Sequence, residues 1–216
     1  MVVLRQLSMR ESYALLRKYG VPCIYPHFLE KDDDIHKIHT FPVALKVVSD
    51  DIVHKSDVGG IVLDVTTPRQ VKETAVKMLK EVQKKAPNAK LNGIAVFRQI
   101  EGTQLLVGMK RDSSFGCVYA FGMGGVLVEV LKDVALHVGK MTVKDADLLI
   151  KKTKADKLIR GTRGQHALDR KAIIDILVRT ARLCEAHPEI KELDFNPVIA
   201  NDKIAKVVDV RVMVDG

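Results

Sequence analysis

The sequence predicts a mixed α/β (α+β) chain of two lobes, and three observations carry that prediction. Apolar β-rich runs alternate with amphipathic helical segments along the chain. Neither an internal repeat nor a low-complexity linker interrupts the alternation. A short α/β region is followed by a longer one whose strands succeed one another closely enough to pair mostly antiparallel. The reading places a smaller lobe at 21–97 and a larger lobe at 98–216, to which a helix within 1–20 belongs. At 216 residues the chain can bury a core without disulfide or metal staples.

Each element has a local cause. Ser8-Met9-Arg10-Glu11 is a capping box, because hydroxyl and carboxylate satisfy two orphan amides at a helix start. Leu15, Leu16 and Tyr19 follow on one face, and Gly20 with Pro22 ends the helix. Pro42–Val48 is a β-rich run closed by Ser49-Asp50-Asp51, and Ile61–Val65 is a second. Thr67-Pro68 opens a helix with cap and proline in the preferred order; Val71, Ala75, Met78, Leu79 and Val82 form its buried stripe. Gly93–Arg98, Leu105–Lys110 and Gly116–Phe121 read as three consecutive strands, the first two joined through Glu101-Gly102-Thr103. Thr142-Val143-Lys144-Asp145 starts a helix running towards Lys152. Asp169 caps a longer helix with a stripe of Ile173, Ile176, Leu177, Ala181 and Cys184, ending at His187-Pro188. Two final strands surround Asn196-Pro197 and Val207–Met213.

Composition narrows the function classes. Hydrophobic residues at 47% and charged residues at 29% describe a globular chain, not a disordered or fibrous one. No apolar run approaches the roughly 20 residues that span a bilayer, and the start shows no secretory pattern, so no membrane association is expected. Cys23, Cys117 and Cys184 are far apart and form no CxxC, which fits reduced thiols in a cytoplasmic protein and argues against a zinc ribbon. A net charge of +8 suits a polyanion, either nucleic acid or small molecules such as ATP and CoA. The basic residues are spread out, however. Only Lys151–Lys157 is dense, and it has no interleaved aromatics to stack on bases, so it reads as a solvated helix face and no nucleic-acid partner is expected. His36 and His39 have no third ligand and make no metal site.

The densest polar cluster is 49–60, Ser-Asp-Asp-Ile-Val-His-Lys-Ser-Asp-Val-Gly-Gly, between two short strands. A connection of that length is longer than a hairpin needs. Gly59-Gly60 permit close approach of backbone amides to an anion. Lys46 lies mid-strand among apolar neighbours, as an edge-strand lysine reaching solvent or as a phosphate ligand. His54 alone reads as an ordinary surface or core histidine; beside Lys46 and the glycine pair it points to phosphate chemistry.

Val-Ala-Leu-Lys-Val-Val-Ser at 43–49 and Ile-Val-His-Lys-Ser-Asp-Val-Gly-Gly-Ile at 52–61 closely resemble the β subunit of ADP-forming acetyl-CoA (acyl-CoA) synthetases, relatives of succinyl-CoA synthetase. The resemblance continues through Val107–Asp112, Phe121–Gly125, Val128–Val134 and Gly161–Gly164 to Pro188–Pro197, in order over nearly the whole chain. It implies an ATP-grasp fold, two lobes clasping a nucleotide. It also implies an acid–CoA ligase, active only with a CoA-binding α subunit in an α2β2 assembly, that interconverts acyl-CoA, ADP and phosphate with acid, ATP and CoA. In that family pattern His54 is the transiently phosphorylated histidine, and Lys55 stabilises the phosphoryl charge. Lys46 holds nucleotide phosphates, Asn196 and Asp209 hold Mg²⁺, and Arg163 is a further anion contact. Gln99, Ile100, Glu101 and Gln104 form the lobe-connecting segment that touches adenine and ribose of ATP or ADP. FGMGG at 121–125 becomes a loop near the nucleotide or the partner, with Glu129 just beyond.

The connecting segment departs from the pattern. It lacks the family's proline, is shorter, and carries neutral Gln104 where a glutamate is usual, which weakens a bond to a ribose hydroxyl. A non-catalytic ATP-binding regulatory subunit and a succinyl-CoA-ligase-type β chain are the alternatives.

Overall fold

A computed structural model describes residues 4–30, 32–52, 54–125, 133–162, 164 and 166–216. The chain divides into two compact units, one of residues 24–100 and one of 1–23 with 101–216.

The smaller unit holds strands β2 (His27–Leu29), β3 (Val43–Val47), β4 (Ile61–Val65) and β5 (Ile94–Arg98), and helix α2 (Pro68–Lys85). Its sheet runs β2-β5-β3-β4, every pair antiparallel. Alternation gives β3 two faces. Val43, Leu45 and Val47 join Val71, Met78 and Val82 of α2 in one apolar cluster. Each such side chain contributes about 1.5–3 kcal/mol by leaving water. Thr67 caps α2 by accepting the Gln70 amide, with proline behind it as expected. The strand at 94–98 pairs with β2 and β3, so it belongs to this sheet and is not the first of three strands in the next.

The larger unit holds β1 (Leu4–Gln6), α1 (Met9–Lys18), β6 (Thr103–Asp112), β7 (Gly116–Met123), β8 (Val134–Val138), α3 (Val143–Lys151), α4 (Ala155–Ile159), α5 (Arg170–Ala186), β9 (Ile190–Ala200), β10 (Ala205–Val207) and β11 (Arg211–Asp215). The sheet runs β1-β11-β9-β6-β7-β8, with β10 also on β9, all antiparallel. Leu105, Val107, Tyr119, Phe121, Leu193 and Phe195 are buried on one face. The capping boxes at Ser8–Glu11 and Thr142–Asp145 both form. Lys151, Lys152, Lys154 and Lys157 are exposed, a solvated face with Thr153, Ala155 and Asp156 buried between them.

Two further expectations need correction. The final strand, read as Val207–Met213, is broken into β10 and β11, with Val208–Val210 outside both. FGMGG is not all loop: Phe121, Gly122 and Met123 finish β7, and only the two glycines turn. Among the described residues no helix is long and apolar enough to cross a membrane.

Candidate phosphoryl-transfer site

In the smaller unit Lys46 sits on β3, an interior strand, so it is not an edge-strand lysine. It stands on the sheet face away from the α2 cluster and is only 6% exposed. Its Nζ lies 4.9 Å from the Phe97 ring centre, within cation–π range. A buried ammonium held against a ring is placed to meet an anion without a long side chain having to be ordered first.

His54 is exposed, at the start of a run of tight turns. Its carbonyl accepts the Asp57 amide at 3.3 Å, Ser56 O accepts Gly59 N at 3.0 Å, and Lys55 O accepts Gly60 N at 2.7 Å. The two glycine amides are therefore spent inside the loop and form no open anion nest. What the loop needs from glycine is shape. Gly59 has φ +76°, and a Cβ on Gly60 would stand 2.6 Å from Val47 Cγ1 and 3.0 Å from Lys55 O. Gly60 O accepts the Val47 amide at 2.8 Å, which fastens the end of the loop to β3. Lys55 is half-buried, and its ammonium donates to Ile52 O at 3.3 Å.

The connecting segment divides by unit. Gln99 is a strut: its Nε2 donates to Asp64 Oδ1 at 2.7 Å, and its Oε1 accepts the Asp64 amide at 3.0 Å. Asp64 has φ +59° at the irregularity in the β3–β4 register, so Gln99 clamps that bulge. Ile100 is half-buried; Glu101 is exposed, and its carbonyl accepts Asn201 Nδ2 at 3.0 Å. Gln104, exposed on β6, accepts the Gly124 amide on its carbonyl at 2.9 Å. The Asp64–Gln99 clamp was not anticipated, and its only signal was a polar residue in a bulged strand.

Asn196 and Asp209 are brought together by register. Proline has no N–H for a ladder, and β9 bulges at Asn196-Pro197, where the β6 register shifts between Leu105 and Val107. Phe195 and Val198 are both buried on either side of it. On the other edge of β9, Val207 pairs with Val198 and Arg211 with Asp194. Val208 N donates to Pro197 O at 3.1 Å, so Asp209, in the gap between β10 and β11, falls opposite Asn196. Asn196 Oδ1 also accepts the Gly125 amide at 2.9 Å. Gly125 has φ +62°, which favours glycine, and a Cβ there would displace the Gln104 side-chain amide. Burial, then the Asp209 carboxylate, raises the Asp194 carboxyl above its usual range, while Arg211 pulls it back. Asn196 and Asp209 offer hard oxygen donors, and among the described residues no three His, Cys, Asp or Glu side chains form a closed cage. Two protein oxygens with phosphate and water completing the shell is how Mg²⁺ is commonly held, so the pair fits that ion. Arg163 and Glu129 lie outside the described residues.

The ATP-grasp domain family matches residues 4–214. The acetate–CoA ligase [ADP-forming] I subunit β of Pyrococcus furiosus is 34% identical over 213 residues, 97% of this chain and 92% of that one. This chain belongs to that β-subunit family of ATP-grasp proteins. The acetate–CoA ligase [ADP-forming] I of Archaeoglobus fulgidus is 39% identical over 94% of this chain, which spans only 30% of the relative's length. A solved acetyl-coenzyme A synthetase from Ca. Korarchaeum cryptofilum, in complex with coenzyme A and Ca-AMPCP, superposes with a TM-score of 0.91 at 37% identity, covering 97% of this chain and 93% of the other. That synthetase with Mg-AMPPCP has its phosphohistidine segment pointing towards the nucleotide binding site; its TM-score is 0.85 at 35% identity, with the same coverage. The relatives it matches are named as ADP-forming acetate–CoA ligases or their β subunits.

Proposed function

We propose that the chain is the nucleotide-binding subunit of an ADP-forming acyl-CoA synthetase and carries a phosphoryl group on His54. The observation that supports this best is the position of His54: exposed, and on a loop fastened at Gly60 to the strand that carries Lys46. In the ATP-consuming direction an imidazole nitrogen of His54 attacks the γ-phosphorus. An N–P bond forms, the bond to the bridging oxygen breaks with its electron pair staying on ADP, and the ring proton leaves to water. The reverse step returns the group to ADP. Lys46 binds a phosphate oxygen as a point charge. Asn196 and Asp209 hold Mg²⁺, which when bound neutralises phosphate charge. Gln99, Ile100, Glu101 and Gln104 contact the nucleoside through backbone and Gln104 side chain, and Arg163 contacts an anion. Lys55 lowers the charge on the transferred group. The CoA and acyl chemistry belongs to a partner α subunit in an α2β2 assembly, so the isolated chain has no synthetase turnover.

Incubation with γ-labelled ATP and Mg²⁺ tests the reading. Label should stay on the chain through alkali and leave in acid. His54→Asn should remove it entirely while nucleotide affinity stays within about threefold, because Lys46 and the metal pair remain. Label retained by His54→Asn puts the phosphoryl group on another residue and sinks the His54 relay; no label on the wild type leaves a nucleotide-binding regulatory subunit.

A further inference from the structure

Residues 4–23 take no part in the proposed phosphoryl transfer, yet they grip the strand break that carries Asp209. Val207 N donates to Pro22 O at 2.9 Å, the Tyr13 hydroxyl donates to Val208 O at 3.0 Å, and Leu7 N donates to Val212 O at 2.9 Å. Cys23 also forms an isolated parallel bridge with Val207. These contacts straddle Asp209, and of the three hydrogen bonds only Tyr13's comes from a side chain. Tyr13 is 5% exposed, on the face of α1 that also buries Ser12 and Leu16. Burial, then the Asp209 carboxylate, pushes the ionisation of its hydroxyl well above the usual phenol range, so the group keeps its proton and donates.

The bond acts one peptide away from the carboxylate. The Val208 N–H belongs to the peptide plane before Val208, and its C=O belongs to the rigid plane that ends at the Asp209 nitrogen. Pro197 O holds the first plane at 3.1 Å, and the Tyr13 hydroxyl holds the second. With both planes fixed, the two soft torsions of Val208 are fixed as well, and the Asp209 backbone is set against β9 and so against Asn196. A ladder does not do this, because Val208–Val210 lie outside β10 and β11. Mg²⁺ demands near-ideal octahedral geometry at about 2.0–2.1 Å, so a small displacement of one ligand weakens it. We propose that Tyr13 is a positioning residue for the metal pair: through Val208 O its hydroxyl sets the Asp209 carboxylate against Asn196. The proposal rests on the Mg²⁺ reading of that pair above.

Tyr13→Phe keeps the ring and removes the donor. Calorimetric titration with ADP, with and without Mg²⁺, reads the effect. The affinity gained from Mg²⁺ should fall about fivefold, below the tenfold or more expected for a partner bonded to the ligand itself, while metal-free affinity stays put. In the metal-free chain, amide hydrogen exchange at 207–210 should speed up severalfold. Leu16→Val, in the buried face of the same helix, controls for stability: it should lower the melting temperature about as much as Tyr13→Phe and keep the wild-type gain from Mg²⁺. A wild-type Mg²⁺ gain in Tyr13→Phe, unchanged exchange at 207–210, or an equal fall in Leu16→Val overturns positioning by Tyr13 and leaves the metal pair standing. If Asp209→Ala itself keeps the full gain from Mg²⁺, the metal reading falls and the role of Tyr13 falls with it.

Discussion

His54 and the Asn196–Asp209 pair stand on backbones of opposite character. The histidine is exposed on a loop held, among the described residues, by short-range turns between residues 52 and 60 and closed onto β3 by Gly60. Asn196 and Asp209 face each other inside one long hairpin, held on both edges of β9 and again by the Gly125 amide. The relay proposed for His54 needs a segment that can rearrange at low cost, and a run of tight turns suits that. The Mg²⁺ proposed for Asn196 and Asp209 needs ligands at fixed separation, and a ladder supplies that.

The contrast breaks first at the metal pair. Asp209→Ala should weaken Mg²⁺-nucleotide binding on the order of 100-fold, about 2–3 kcal/mol for one charged contact, and leave metal-free binding nearly unchanged. Equal loss in both conditions, read by calorimetry with and without Mg²⁺, would take Asp209 out of the metal site. Lys46→Met comes next. Methionine keeps the volume, so the fold should hold, while nucleotide affinity should fall about 30-fold with or without metal. Dependence on Mg²⁺ there would mean that Lys46 acts through the metal and not on a phosphate.

A third test probes the frame of the larger unit. Arg170 ties α3 to α4, with Nε 2.7 Å from Asp147 Oδ1 and Nη1 2.6 Å from Asp156 Oδ1. Lys151, then Arg170, holds the Asp147 carboxyl below its usual range. Burial pushes the Asp156 carboxyl up, but the Arg170 and Arg160 guanidiniums outweigh it and leave it lowered as well. Carboxyls depressed in the folded state stabilise it above their unfolded values and lose that contribution as the pH falls through the folded ones. Arg170→Ala should therefore cost about 1.5 kcal/mol at neutral pH, and its gap to the wild type should narrow below about pH 4 in urea titrations. A gap independent of pH would assign the loss to packing of the arginine stem.

These elements also mark what could be read from sequence. Caps and stripes were legible because their causes are local: Ser8, Thr67, Thr142 and Asp169 all cap the helices they precede. β8 was not, because Val134, Leu136 and Val138 point outwards and invert the expected pattern. β1 and β2 are too short to show a period. Asn196 and Asp209 were legible as residues through family resemblance, but their opposition depends on a register across a broken strand. Gln99 illustrates the limit: its place near a nucleotide was inferred from position, whereas its side chain is engaged with Asp64.

The smallest effect sharpens the loop side of the comparison. Lys55 donates to Ile52 O, so it has a structural use as well as its proposed charge role. Lys55→Ala should slow phosphoryl transfer about fivefold, below the hundredfold or more of a dedicated oxyanion donor, because the ammonium is shared with that carbonyl. Two further variants separate the roles. Lys55→Arg keeps the charge, and Lys55→Gln keeps a neutral donor for Ile52 O but no charge. If charge matters, arginine restores the rate of label transfer and glutamine does not. If Lys55 only fastens the turn, glutamine restores it too, and the loop presents His54 without a cation of its own.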